Sequence, residues 1–251
     1  MRTDPNKSLQ EIAAEVPGAV AVLESCGLDY CQPARHPLVT VCAERGLALE
    51  GVLTRLEAAD PGPDRSQVFG EWSDRSLADL VAHIVRRHHT LSWRELGRLT
   101  VLFEEAATTK SRRRRDWKRL QKVFTAFRQK LEQQMNYEEQ VLFPYVVALE
   151  QAAHGSGAFP SAPFLTVRRP VRMILLDHDA STRLLRRIQA AMTCYHFEKS
   201  HAQYCHDLRS ILAMLQDDLA SHFFLESNLL FPRVVNLESS VAESLRPLNE
   251  N

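Results

Sequence analysis

The sequence predicts an all-α protein: a small N-terminal helical domain followed by a four-helix bundle built from a duplicated helix pair. Long segments place apolar residues at three- and four-residue steps, the spacing that keeps side chains on one face of a helix. Glycine is scarce at nine residues, and no run alternates with period two as a half-buried strand would. The third observation is an internal repeat. EEQVLFPYVVALE, starting at Glu138, returns 88 residues later as ESNLLFPRVVNLE from Glu226.

Residues 1–60 form the first domain, made of short helices. SLQEIAAEVPGAVAVLESCG opens on Ser8 with Glu11 three residues on, a capping box, and ends near Gly27. Residues 61–73 are expected as a linker, because AADPGPDRSQ (58–67) gathers two prolines, a glycine and polar residues. The bundle is expected over 74–240, with 241–251 as a tail. Its long helices are placed at 75–107, 113–149, 168–193 and 199–237, and HGSGAFPSAPF (154–164) separates two helical hairpins. Pro144 and Pro232 fall inside predicted helices, where proline removes a hydrogen bond, so each marks a kink or a boundary.

Composition narrows the function classes. Lys plus Arg and Asp plus Glu are equal at 31 each, so no overall field draws the chain to nucleic acid or to an anionic membrane. No run of about 18 apolar residues occurs, and the N-terminus MRTDPNKSLQ is polar, from which a cytoplasmic protein is expected. Five cysteines, an odd number without a CxxC pair, suit free thiols in a reducing compartment.

The chemistry lies on the helix faces that point inward. In the fourth helix Leu212, Leu215, Leu219, His222, Glu226 and Leu229 share one face; in the third, Ile174, Leu175, His178, Leu185 and Ile188 do. The first brings Val81, Val85, His89, Trp93 and Leu96 inward, and the second Leu131, Gln134, Glu138, Leu142 and Tyr145. Two glutamates and three histidines thus meet in a core. A buried carboxylate must pair with a cation, take a proton or bind a metal. Imidazole plus carboxylate inside a helical bundle is the donor set of carboxylate-bridged di-iron sites. His89 and His178 lie 89 residues apart, close to the offset between Glu138 and Glu226, so each half offers one histidine and one glutamate. The halves differ four residues before the glutamate, where one has Gln134 and the other His222.

HHTLS around His89, LLDHDAS around His178 and SHFFLESNLLFPR from Ser221 resemble the hemerythrin-like domain of the repair-of-iron-centres family, di-iron proteins of ScdA/YtfE type. SLQEIAAEVPGAVAVLESCGLDYC is similar to the ScdA-like N-terminal domain of that family, with its Asp-Tyr-Cys as Asp29, Tyr30 and Cys31. The resemblance implies two non-haem iron ions, with His89, His178 and His222 as terminal ligands and Glu138 and Glu226 as bridges. It implies repair of iron-sulfur clusters after nitrosative or oxidative stress, with damaged iron-sulfur proteins as partners. A module that binds or senses oxygen or nitric oxide is the alternative, and enzymatic status and a homodimeric assembly stay open. Gln134 stands where the family has a fourth histidine, so it is a weak or substituted ligand position and occupancy is expected to be partial. The metal position near His89 is expected to be the weakened one. Cys31 lacks its neighbouring cysteine, Gln32 following it, and is either a vestige or a reactive thiol.

KSRRRRDWKR (110–119) reads as a solvated basic face, since no DNA- or RNA-reading fold accompanies it. His88 points about 100° away from His89 on a helix and is assigned to the surroundings of the site or to the surface. His196, His201 and His206 are assigned to the surface, and Cys194 and Cys205 to inert packing.

Overall fold

The computed structural model describes residues 3–16, 18–30, 36–59, 63–108, 114–155, 158–194 and 202–244, and these are helical with no strand among them. Cys31, His196, His201 and residues 110–113 of the basic run lie outside the described residues.

Four short helices come first: α1 (Leu9–Glu15), α2 (Ala19–Ser25), α3 (Leu38–Arg45) and α4 (Leu49–Glu57). The capping box forms as expected, with Ser8 accepting from the Glu11 amide and the Glu11 carboxylate accepting from Ser8 N at 2.8 Å. Gly18 introduces α2 at φ +79°, and a Cβ there would sit 2.9 Å from the carbonyl oxygen of Ala59, so both the backbone conformation and the space require glycine.

The expected linker holds a helix, α5 (Pro63–Trp72). Proline is tolerated in a first turn, where its missing N–H costs nothing. Phe69 and Trp72, three residues apart, are both buried, and Arg233 donates to the carbonyls of Trp72 (3.2 Å) and Arg75 (2.6 Å) beyond the helix end.

The four long stretches each consist of α-helix, and three contain a π-helical turn. The first runs through α6 (Leu77–His83), a π-turn (Ile84–His89) and α7 (Thr90–Thr108); the second through α8 (Arg114–Tyr137), a π-turn (Glu138–Leu142) and α9 (Phe143–Ala153). The third is α10 (Arg168–Cys194), and the fourth is α11 (Ala202–Leu225), a π-turn (Glu226–Leu230) and α12 (Phe231–Ser244). The two prolines explain two of these turns. Pro144 and Pro232 cannot donate to the carbonyl four residues back, and their rings would crowd it. One wider turn relieves the clash, and Phe231 N–H accordingly bonds the carbonyl of Glu226, five residues back. Each proline therefore sits in a helix that continues, behind a widened turn that begins at a repeated glutamate.

Two compact units are resolved. One comprises His83–Gln140 and Met173–Phe223. All four long stretches contribute to its core, among them Leu96, Leu99, Phe103, Phe127, Leu131, Ile188, Leu208 and Leu215. Phe103 and Phe124 stack at 4.5 Å there. Burying each such side chain contributes about 1.5–3 kcal/mol. The other unit comprises Met1–Ala82, Val141–Arg172 and Phe224–Asn251. In it α1 packs on α12, α12 on α9, and α1 and α2 also touch the π-turn that starts at Glu226.

The last glutamate of each repeat has the same structural job in that unit. Glu150 accepts from the amides of Leu77 (2.6 Å) and Ala78 (2.9 Å) at the start of α6. Glu238, its repeat mate, accepts from Val167 N (2.8 Å) and Thr166 Oγ1 (2.6 Å) just before α10, and from Tyr145 Oη (2.6 Å). A helix start has amides with no intrahelical acceptor and a positive dipole end, so a carboxylate there satisfies both.

Candidate metal centre

Four of the sequence-predicted residues come together. Ligand atoms of His89, Glu138, His222 and Glu226 all lie within 4.8 Å of one another, and each of the four residues is buried. His89 is the last residue of its π-turn, and Glu138 and Glu226 are the first residues of theirs. His222 precedes Glu226 by one turn of α11, so the two share a face.

The distances test whether a metal fits. His89 Nε2 is 3.1 Å from His222 Nε2 and 3.4 Å from Glu138 Oε2. Two donors bound to one ion at about 2.0–2.2 Å, with tetrahedral to octahedral angles, lie roughly 2.9–3.4 Å apart. Both separations fall within that span. Protonation states point the same way. His89 Nδ1 meets Glu139 Oε1 at 2.8 Å, and an ionised carboxylate accepts only, so Nδ1 carries a proton, and Nε2 faces the cluster with a lone pair when the imidazole is neutral. A histidine held by a carboxylate through its outer nitrogen is the usual arrangement behind a metal ligand. Two fully buried carboxylates among imidazoles must pair with a cation, take a proton or bind a metal, each desolvated ion costing several kcal/mol otherwise, and a divalent ion would serve both. The residues present fit a divalent transition metal.

Two predicted residues lie beside this quartet. Gln134 is buried; its Nε2 donates to Glu138 Oε1 at 2.9 Å, and its Oε1 has no hydrogen-bond partner among the described residues. His178 is buried and stacks on Phe223, ring centroids 3.9 Å apart, outside the group of four.

Sequence reasoning missed Glu139. It adjoins Glu138, and on a regular helix it would point about 100° away from it; it lies in the widened turn and meets His89. Trp93 Nε1 also reaches it, at 3.5 Å. His88 is buried, not on the surface: its Nδ1 is 3.1 Å from Asp218 Oδ1, which Arg87 also approaches at 3.2 Å, and its ring lies parallel to His222 at 5.5 Å. His206 is exposed as expected, and burial pushes the Cys205 thiol up to about 11, which keeps it inert. No helix of the described residues is long and apolar enough to cross a membrane.

Comparison with known proteins agrees with the motifs. Residues 5–60 match the ScdA_N family model, described as a domain of unknown function (DUF542). The chain is 26% identical over 238 residues to the iron-sulfur cluster repair protein YtfE of Pectobacterium carotovorum subsp. carotovorum (strain PC1), covering 93% of this chain and 98% of that protein. Proteins of the same name from Musicola paradisiaca (strain Ech703) and Yersinia pseudotuberculosis serotype IB (strain PB1/+) are 27% and 25% identical over 236 residues, again covering 93% of this chain and 98% of each relative. The family resemblance carried by the motifs is borne out by both findings.

Proposed function

We propose, from its kinship with the iron-sulfur cluster repair proteins of ScdA/YtfE type, that this chain is a non-haem iron protein that repairs iron-sulfur clusters damaged by nitrosative or oxidative stress. The buried quartet His89, Glu138, His222 and Glu226 is the observation that supports it most directly, since a chain needs such a site to handle iron. The fuller form of the proposal is a di-iron centre, with Glu138 and Glu226 as bridges, His178 as a further ligand and Gln134 as a substituted position. Damaged iron-sulfur proteins are its partners, the cytoplasm its compartment, and residues 1–60 and 74–240 its two domains. The names of the relatives favour repair over gas sensing.

Iron held by these residues would supply a redox-active Lewis acid. The chain's own residues set the conditions. Glu139 holds the Nδ1 proton of His89 and so directs Nε2 inward. Gln134 fixes one oxygen of Glu138 by donating to it. Leu142, Phe143, Leu225 and Leu229, close to the glutamates along the chain, are buried as the glutamates are, and burial strengthens charge interactions.

The test is recovery of a [4Fe–4S] dehydratase after exposure to nitric oxide. Iron-loaded protein should restore its activity faster than the same amount of free ferrous iron, and Glu226→Ala protein should not. Equal recovery with protein and with free iron would refute the repair reading.

A further inference from the structure

The two halves of the bundle repeat contacts as well as letters. At the 89-residue spacing of His89 and His178 the first helices correspond, carrying position 88 onto 177, and at the 88-residue spacing of Glu138 and Glu226 the second helices do, carrying position 130 onto 218. His88 approaches Asp218 at 3.1 Å, and Lys130 donates to Asp177 at 2.5 Å, so a basic side chain meets an aspartate at both places with the two sides exchanged. Glu150 with Leu77 and Ala78 likewise corresponds to Glu238 with Thr166 and Val167. The correspondence therefore holds both within a half and across halves.

Applied to the site, the same correspondence carries the pair His89 and His222 onto the pair His178 and Gln134. It carries Glu139, the acceptor behind His89, onto Ser227. We infer that the bundle has two unequal metal positions: a tight one at His89 and His222, backed by Glu139, and a weak one at His178 and Gln134. This inference rests on the metal-binding reading proposed above.

Two deficits fall on the same position. Gln134 offers a neutral amide oxygen where its mate offers imidazole, and its nitrogen already serves Glu138, so only the buried Oε1 is left to bind. Ser227 carries no charge to strengthen a histidine, whereas Glu139 does. The inference departs from the expectation from sequence, which put the weakened position near His89. His89 and His222, which approach at 3.1 Å, come from different halves, and the repeat correspondence assigns Gln134 to the position of His178.

The test loads the full-length metal-free protein with ferrous iron without oxygen, then removes metal with a graded chelator and measures iron per chain. One ion should leave at a chelator concentration at least roughly tenfold below that needed for the other, the scale of a ligand-shell defect. Gln134→His should narrow that gap. His178→Ala, which leaves the tight position intact, should remove the weak ion alone. One ion held and a second never retained is the same inequality at its limit. Both ions leaving together from the wild type, an unchanged gap in Gln134→His, or loss of the tight ion in His178→Ala would each overturn the inference. Unequal binding without repair activity would refute the proposed function and leave this inference standing; equal binding with repair would do the reverse.

Discussion

Glu139 provides the sharpest test of how the site is held. Its Oε1 meets His89 Nδ1 at 2.8 Å, and its side chain is 28% exposed, against 1% for His89. A hydrogen bond to a charged acceptor contributes about 1.5–3 kcal/mol, and partial exposure of Glu139 puts this one at the lower end. Removing the acceptor behind a metal-binding histidine typically weakens metal affinity about 10–100-fold, or about 1.4–2.7 kcal/mol. Glu139→Ala is therefore expected to weaken the tighter ion by about 30-fold, in the middle of that range. Glu139→Gln keeps a carbonyl within reach of Nδ1 and should cost several-fold less. The assay is chelator competition on each variant, with the proton NMR signal of the His89 Nδ1–H as an independent reading of the hydrogen bond. A loss below about threefold in Glu139→Ala, with that signal still present, would show that Glu139 does not orient His89.

Glu138→Ala or Glu226→Ala should each abolish metal binding and with it any metal-dependent rise in melting temperature, since a ligand that binds only the folded state stabilises it; a retained shift would remove that residue from the site. Glu238→Ala should cost about 3–5 kcal/mol in denaturant unfolding, because it strands three donors around a buried site, whereas Glu150→Ala should cost about 1–2 kcal/mol as the loss of a helix cap. Equal costs would contradict the difference in their partners. Burial, and then Glu238, hold the Tyr145 hydroxyl well above its ordinary value of 10.0, so it stays protonated when folded while the unfolded chain ionises it. Its contribution is complete below about pH 10 and shrinks above it by up to about 1.4 kcal/mol per pH unit, so the stability of the wild type should fall more steeply there than that of Tyr145→Phe.

The helices were legible because periodicity reports a buried face directly. The segment expected at 168–193 is α10 at Arg168–Cys194, and the first pair differs from its expected bounds by a few residues. The helix at Pro63–Trp72 was hidden by composition: two prolines and a glycine in AADPGPDRSQ outweigh the pair Phe69 and Trp72, whose burial supports it. Inward placement of His89, Glu138, His222 and Glu226 was legible for the same periodic reason. The partnerships were not. Periodicity assigns a residue to a face but does not say which neighbouring helix that face meets, so the pairing of His89 with His222 needed coordinates. Glu139 was hidden by a different cause, since a π-turn advances the face by one residue and the sequence was read with a regular 3.6-residue period.

The repeated Glu-x4-Phe-Pro links the widened turns, the carboxylates and the caps. A proline in mid-helix is costly unless the turn before it widens, and the widened turn is where the carboxylate sits. Glu138 and Glu226 each open such a turn, while the last glutamate of each copy, Glu150 or Glu238, fastens the start of the preceding helix of its own half. One short motif therefore sets the local distortion that presents a carboxylate and also ties down the helix that brings the histidine. His89 follows the start of α6 and His178 the start of α10, so each cap fixes the origin from which a histidine is measured along its helix. In the proposed two-position centre, duplication supplies both positions at once, and the single change at Gln134 would make them unequal without disturbing either cap or either turn.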